Sequence, residues 1–221
     1  TGARGKAIEY IELIAGQHPE NADSLFAGIN TTWSRIKGGK EIGNILSKVE
    51  KDYNYRNPST SIPGLVKAYK LIQNLEDEHW KNIKSVEIKE IIAASAGLFL
   101  EATATERFAT PGEEVFLELE AINRSPVKIG LAEVSIHPVG KNIPLKKPLL
   151  NNNSWRQSAS FKVPENADFS SPYWLEEKGS LGMYKVEDPS LIGLPETPQQ
   201  YKAEFLVEIN GTTIPFTREI V

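Results

Sequence analysis

The sequence contains no cysteine, and histidine and methionine are scarce. Its 221 residues include three His and one Met. Without thiols the chain can form no disulfide, no zinc-thiolate site and no cysteine nucleophile. The absence leaves the compartment open, since both a reducing cytosol and an export route that avoids stray thiols are compatible with it.

Long apolar runs and blocks of one charge are also missing. The longest apolar stretch, at 91–100, is interrupted by Ser95 and Gly97 and is too short to cross a bilayer. Twenty-five basic and twenty-nine acidic residues give a formal net charge of -4, and neither sign is gathered into a block. We therefore expect no membrane span and no nucleic-acid partner.

An initiating methionine and a signal peptide are not seen at the start. The chain begins Thr1-Gly2-Ala3-Arg4, which does not have the basic and then apolar arrangement of an export signal. The composition is otherwise that of an ordinary globular protein, with 40% hydrophobic and 24% charged residues. We expect the chain to be a piece of a longer protein.

The first part of the chain has helical periodicity. The clearest apolar stripe indicates an amphipathic helix that ends before Asn57-Pro58, and it consists of Ile42, Ile45, Leu46, Val49 and Tyr53. Apolar spacing predicts further helices over 7–15, 62–80 and 85–96, with short helical turns at 24–29 and Trp33.

From Gly97 onward the apolar period changes to two, which is typical of strands. Asn210-Gly211 predicts a tight hairpin, and Pro215 places the last strand at a sheet edge because proline cannot donate to a ladder. The predicted strands cover 98–105, 115–123, 127–136, 155–163, 201–209 and 213–221.

Helices first and strands afterwards predict an α+β protein and not a parallel α/β sheet. We expect a helical domain of about four main helices at 1–96. An antiparallel, immunoglobulin-like β-sandwich of six or seven strands is expected at 97–221. The strand pattern predicts that its core contains Leu117, Leu119, Phe161, Phe205 and Val207.

Residues that could perform catalysis are few. His18-Pro19-Glu20-Asn21 is the best candidate for a zinc site, but a proline after a helix, with Glu20 in the next first turn, explains the same residues. His79 and His137 lie on other predicted elements. We therefore expect no catalytic residue, metal ligand or cofactor in this chain. The triplet Asn123-Arg124-Ser125 fits the glycosylation sequon, a pattern that is common by chance.

The connection at 166–200 is long and too apolar for a loose loop. We interpret it as a segment that covers one open end of the sandwich core or docks onto another domain. Exposed aromatic rings on such a loop could instead stack on sugars. The candidate aromatic residues for docking or sugar contact are Tyr173, Trp174, Trp155 and Tyr184.

Several segments, in order along most of the chain, resemble the C-terminal half of large bacterial PIG-L-type (LmbE-like) sugar deacetylases of the kind found in Bacteroidetes. The segments that carry the resemblance are Leu25–Trp33, Gly97–Ala102, Asn123–Ser125, Ser171–Leu175 and Leu191–Pro195. The resemblance implies an upstream α/β domain in which an Ala-His-Pro-Asp-Asp motif and a later histidine bind zinc and hydrolyse an N-acetylglucosamine-type substrate. That motif is missing here, so no catalytic residue is carried over.

Three functions follow as hypotheses. The first is a non-catalytic accessory region that packs against an upstream zinc-dependent deacetylase domain of the same polypeptide. The second is a carbohydrate-binding module that contacts glycans through exposed aromatic residues. The third and weakest is an autonomous hydrolase. The family resemblance implies a periplasmic or cell-surface location.

Overall fold

The computed structural model describes residues 5–7, 10–16, 18 and 28–221. Within these residues the protein is a mixed α+β structure, in which three α-helices precede seven strands. The helices are α1 (Gly39–Lys51), α2 (Ile62–Gln73) and α3 (Glu78–Ala96). The strands are β1 (Phe99–Ala104), β2 (Glu114–Ile122), β3 (Ile129–His137), β4 (Lys141–Leu149), β5 (Ser154–Lys162), β6 (Lys202–Ile209) and β7 (Thr212–Glu219).

The three helices pack through the apolar stripes that the sequence shows, except that Tyr53, predicted in the α1 stripe, lies after the end of α1 and is exposed. Ile42 of α1 is fully buried, as are Ile62 and Ile72 of α2. Gly64 of α2 lies so close to α1 that a Cβ at this position would come within 2.5 Å of a Val49 methyl group. None of the helices in the described part of the chain has the length and apolar character that a bilayer span requires.

The prediction of a helix at 7–15 is wrong for its described part. Residues 10–16 contain no helix, and Tyr10 and Ile14 are almost fully exposed. The apolar face predicted there has no packing partner among the described residues, and isolated short helices are marginal without tertiary packing. Residues 8 and 9, and residues 24–27 of the predicted turn at 24–29, lie outside the described residues.

The predicted helix over 62–80 covers α2 and the start of α3, and the helix predicted over 85–96 is the remainder of α3. α2 ends at Gln73, and α3 begins at Glu78 because the Asp77 carboxylate accepts a hydrogen bond from the Trp80 amide at 3.1 Å. An aspartate at this position caps the first turn of a helix. His79, which falls within the predicted helix over 62–80, therefore lies in the first turn of α3 and is exposed.

Helix α3 passes directly into the first strand. Gly97 adopts the left-handed conformation (φ 55°), and the Leu98 amide donates to the Ala93 carbonyl at 2.8 Å. This bond pattern is that of a helix ended by a Schellman motif, which favours glycine. Two residues thus separate α3 from β1, at the position where the apolar period changes.

The strands form two antiparallel sheets. One has the order β1-β2-β5, and the other has the order β4-β3-β6-β7. Asn210 and Gly211, both with positive φ, join β6 to β7 in the predicted hairpin. Pro215 lies on β7, which ends its sheet, as predicted.

Strand β4 is the one that the sequence pattern did not predict. Its sequence includes Pro144, Pro148 and three lysines, and most of its side chains are exposed. Proline and lysine are common on edge strands, where they discourage pairing with other chains. An exposed edge strand needs no apolar alternation, so the pattern that reveals the other strands is absent.

Side chains from both sheets and from the helices contribute to the hydrophobic core. All five core residues predicted from the strand pattern are buried, and Leu119, Phe205 and Val207 have no exposed surface. Strand alternation therefore identified the inward faces of β2, β5 and β6 correctly.

Asn123 follows β2 and is 1% exposed. Its side-chain amide donates to the carbonyls of Val127 (2.9 Å) and Leu149 (3.1 Å), and its side-chain oxygen accepts from the amide and hydroxyl of Ser125. The residue therefore ties the β2–β3 turn to the end of β4. Because the side chain is buried and its hydrogen bonds are used internally, this sequon does not present a glycosylation site in the folded protein.

Candidate functional site

The segment 166–200 is held in place by Tyr173. This side chain is 8% exposed, and its hydroxyl donates to the Leu194 carbonyl at 3.1 Å. The Tyr173 amide donates to the Thr197 hydroxyl at 2.9 Å, and that hydroxyl donates to the Ser171 carbonyl at 3.1 Å. The segment is therefore ordered by its own hydrogen bonds, although its helical content is limited to the short turns Tyr173–Leu175 and Pro189–Leu191.

Most of the other large apolar side chains of the segment face solvent. Leu181 is fully exposed, and the exposed set continues with Phe169, Leu175, Met183, Tyr184, Ile192 and Leu194. The expectation that the segment covers an open end of the core thus describes Tyr173 but not these residues. Exposed apolar groups in one segment are typical of a surface that contacts another protein, a membrane or a ligand.

A groove of about 860 Å³ runs beside this segment. Its walls come from the β1–β2 connection, the residues after β5 and the residues before β6. The aromatic lining residues are Phe108, Phe161, Phe169, Trp174 and Tyr201. A groove of this size falls within the range of ligand and peptide sites.

Only one of the four predicted site aromatics lines this groove. Trp174 does so, and its ring stands perpendicular to that of Tyr173, at 88° and 4.9 Å between centroids. Trp155 lies on β5, half-buried against the core, and Tyr184 is exposed outside the groove. Trp174 therefore has no coplanar neighbour in Tyr173.

The groove contains more acidic than basic side chains. Its lining includes one guanidinium group, that of Arg107, and four carboxylates, those of Glu106, Asp168, Glu176 and Glu196. Gln199 and Gln200 add amide groups that can both donate and accept. Burial raises the pKa of Tyr201, so this phenol at the inner wall stays protonated and neutral around pH 7.

The charged side chains in the turns outside the groove are paired within those turns. Lys185 lies 3.0 Å from a Glu187 oxygen and 3.5 Å from a Glu177 oxygen. The hydrogen bond that Lys185 donates to Glu187, followed by the charge of Glu177, raises the pKa of Lys185. Asp188 accepts from the amide and hydroxyl of Ser190, which lowers the pKa of its carboxyl. These residues stabilise the local turns.

The histidines lie apart. His18 is exposed, and the remainder of the motif at 19–21 lies outside the described residues; His79 and His137 are also exposed, on α3 and at the end of β3. Among the described residues, no three His, Cys, Asp or Glu side chains are grouped so that they could hold a metal ion.

The sequence did not predict the groove. Phe108 lies in the connection after β1, and Asp168 and Gln200 lie far from it in the chain. Only the pairing of β1 with β2 and of β2 with β5 brings these connections to the same end of the sheets. The one available signal was Phe108, an aromatic residue in a polar turn.

No protein-family model matches the sequence, and no curated protein matches it either. Among solved structures, the chain is similar to the Pseudomonas fluorescens alkylpurine DNA glycosylase AlkC bound to DNA containing an abasic site analog. The identity is 14% and the TM-score 0.27, over 76% of this chain and 48% of that chain. This chain thus spans about half the length of that protein, and a likeness at this TM-score carries no argument about fold or function.

Proposed function

We propose that this chain is a non-catalytic accessory region that docks onto another domain through the segment 166–200. The observation that carries the proposal is the row of exposed apolar side chains on a segment that Tyr173 holds in an ordered conformation. A preordered apolar surface loses little conformational entropy when it binds, so it is well suited to a permanent domain interface.

The proposed partner is a zinc-dependent sugar deacetylase domain upstream in the same polypeptide. The support for this identity is the resemblance of Gly97–Ala102, Ser171–Leu175 and Leu191–Pro195 to the C-terminal half of PIG-L-type enzymes. On this proposal catalysis and zinc binding belong to the partner domain, and the location is periplasmic or at the cell surface.

We also infer that the two sheets form an immunoglobulin-like sandwich. The three-stranded order β1-β2-β5 and the order β3-β6-β7 correspond to strands A-B-E and C-F-G of that fold. Strand β4, beside β3, then takes the place of strand C′ in a variable-type sheet. The shared core of the two sheets supports this assignment.

Carbohydrate binding is the second candidate function. It is favoured by the presence of Trp174 in the same groove as Asp168, Gln199 and Gln200, which could bind sugar hydroxyls. The perpendicular rings of Tyr173 and Trp174 argue against it, because a flat platform for a sugar needs coplanar aromatic rings. We therefore rank docking first.

The identity of the partner is tested by sequencing the coding region before Thr1. The proposal expects a domain with an Ala-His-Pro-Asp-Asp motif, and a different kind of domain there would refute the deacetylase assignment. Docking itself is tested by mixing that domain with this chain and measuring the dissociation constant by calorimetry.

The decisive variants replace exposed apolar residues. Leu181→Ser combined with Met183→Ser is expected to weaken association at least about tenfold, because two apolar contacts are removed from the interface. Leu150→Ser is the matched control, since Leu150 is similarly exposed but follows β4 outside the segment. Equal affinities for the two variants would contradict docking through 166–200.

A further inference from the structure

We infer that the groove beside Trp174 receives a protein segment that carries lysine or arginine side chains among apolar ones. This inference rests on the proposed docking function and specifies the chemistry of the partner. Three properties of the groove support it: its charge, its apolar lining and its continuity with the exposed part of the segment.

The negative charges of the groove are not neutralised by ion pairs among the described residues. Of the four carboxylates Glu106, Asp168, Glu176 and Glu196, none has a salt bridge or side-chain hydrogen bond to another described residue. Arg107 is the one cationic side chain in the lining. A surface with this excess of one sign favours a partner of the opposite sign, both in encounter and in orientation.

These carboxylates do not form a metal site. The part of the chain that the structure describes contains no group of three acidic or histidine side chains able to hold a metal ion. A partner that carries several separate cations along a flexible backbone matches carboxylates that come from different connections of the fold. Lysine and arginine side chains supply such cations, and either can also contact an aromatic ring such as Trp174 through its positive charge.

The apolar lining favours a protein over a sugar. Phe108 and Phe169 are more than four-fifths exposed, and Leu175, which lies between the lining residues Trp174 and Glu176 in the chain, is exposed as well. Aliphatic and phenyl side chains in this arrangement need apolar partners, which hydroxyl-rich sugars supply only at their ring faces. An extended segment with alternating basic and apolar side chains satisfies both the carboxylates and the apolar lining.

The experiment uses the full chain and three defined probes. They are a short peptide of alternating lysine and leucine, the same peptide with glutamate in place of lysine, and an oligomer of glucosamine, which is cationic but not a peptide. Fluorescence anisotropy measures each dissociation constant. The lysine peptide is expected to bind at least about tenfold more tightly than either of the other probes, and its binding is expected to weaken as salt is added.

Two triple variants locate the binding. The first combines Glu106→Gln, Asp168→Asn and Glu196→Gln, and it is expected to weaken binding of the lysine peptide about tenfold. The matched control, which changes the net charge equally, combines Glu50→Gln, Asp52→Asn and Glu208→Gln at exposed positions outside the groove. Thermal melting checks that both variants are folded. Binding that responds equally to both triple variants would overturn the inference, because it would reflect only overall charge.

Two further outcomes also overturn it: preferential binding of the glucosamine oligomer, or no binding of the lysine peptide. Neither would refute the docking proposal, which is tested separately at Leu181 and Met183 outside the groove. A groove that fails to bind basic peptides, while Leu181→Ser with Met183→Ser still impairs docking, would restrict the interface to the exposed part of the segment.

Discussion

Strands β2 and β6 and the segment 166–200 are all rich in large apolar residues, but they use them differently. In the strands the apolar residues alternate with polar ones, and the inward set is buried, as Leu119 and Phe205 show. In the segment the apolar residues follow no period, and apart from Tyr173 the large ones are half-buried or exposed. Apolar content alone therefore does not place a residue in the core; a regular element that directs side chains to one side does.

The largest expected difference between the two regions concerns truncation of a single side chain. Phe205→Ala is expected to lower the free energy of unfolding by about 4 kcal/mol, because it leaves a cavity in a fully buried site. Leu181→Ala in the segment is expected to change it by less than about 0.5 kcal/mol. Urea unfolding followed by circular dichroism measures both. A similar loss for both variants would show that the segment belongs to the core.

A smaller loss of stability is expected at Asn123, which ties the β2–β3 turn to the end of β4. Asn123→Ala removes one buried residue's hydrogen bonds to Val127, Leu149 and Ser125, with an expected cost of about 3 kcal/mol. Asn153→Ala, at an exposed asparagine before β5, is the control and is expected to be near neutral. Equal melting temperatures for the two variants would contradict the structural role of Asn123.

The hydrogen bond by which Tyr173 orders the segment 166–200 can be removed while its aromatic ring is kept. Tyr173→Phe deletes the hydrogen bond to the Leu194 carbonyl and is expected to cost about 1 kcal/mol. Tyr184→Phe, at an exposed tyrosine of the same segment, is the control. Hydrogen exchange around 190–197 should rise in the first variant only. Unchanged exchange in Tyr173→Phe would mean that the ring, and not the hydroxyl, orders the segment.

The smallest expected effect concerns a carboxylate on the outer face of β2. The Ser154 hydroxyl, followed by Arg156, lowers the pKa of the Glu120 carboxyl. A depressed pKa in the folded state contributes stability above the ordinary pKa of glutamate, and this contribution is lost as the pH falls through the folded-state value. Ser154→Ala should therefore raise the pKa of Glu120, as measured by NMR titration. A pKa that stays depressed would assign the effect to the arginines, Arg156 and Arg124.

The sequence predicted the elements in which the spacing of apolar residues reflects which face is buried. It gave six of the seven strands, the β6–β7 hairpin and the edge position of Pro215, because each depends on local patterns. It missed β4, whose exposed edge imposes no alternation. It also joined α2 to the first turn of α3, because the cap at Asp77 interrupts the apolar pattern only briefly, and it placed the start of the next helix at 85, inside α3.

The groove depends on contacts between distant connections, which no local pattern records. Trp174 was predicted as a contact residue from its apolar neighbourhood, whereas Glu106, Phe108 and Asp168 were not. Their position depends on how β1, β2 and β5 pair, which is a property of the whole sheet. Trp155 and Tyr184 were predicted as contact residues together with Trp174, because the sequence alone does not show which aromatic residues lie near one another in the fold.

The two-residue connection between α3 and β1 has a mechanical consequence. The Leu98 amide bonds to the Ala93 carbonyl at the end of α3, and Glu90, earlier in the same helix, pairs with Arg218 of β7. The C-terminal part of α3 is therefore bonded both to the start of β1 and to β7. A force applied to α3 is therefore expected to be passed to the sheets, because only two residues separate the helix from β1. A domain that docks on α3 or on the sheets would therefore also constrain the orientation of the other.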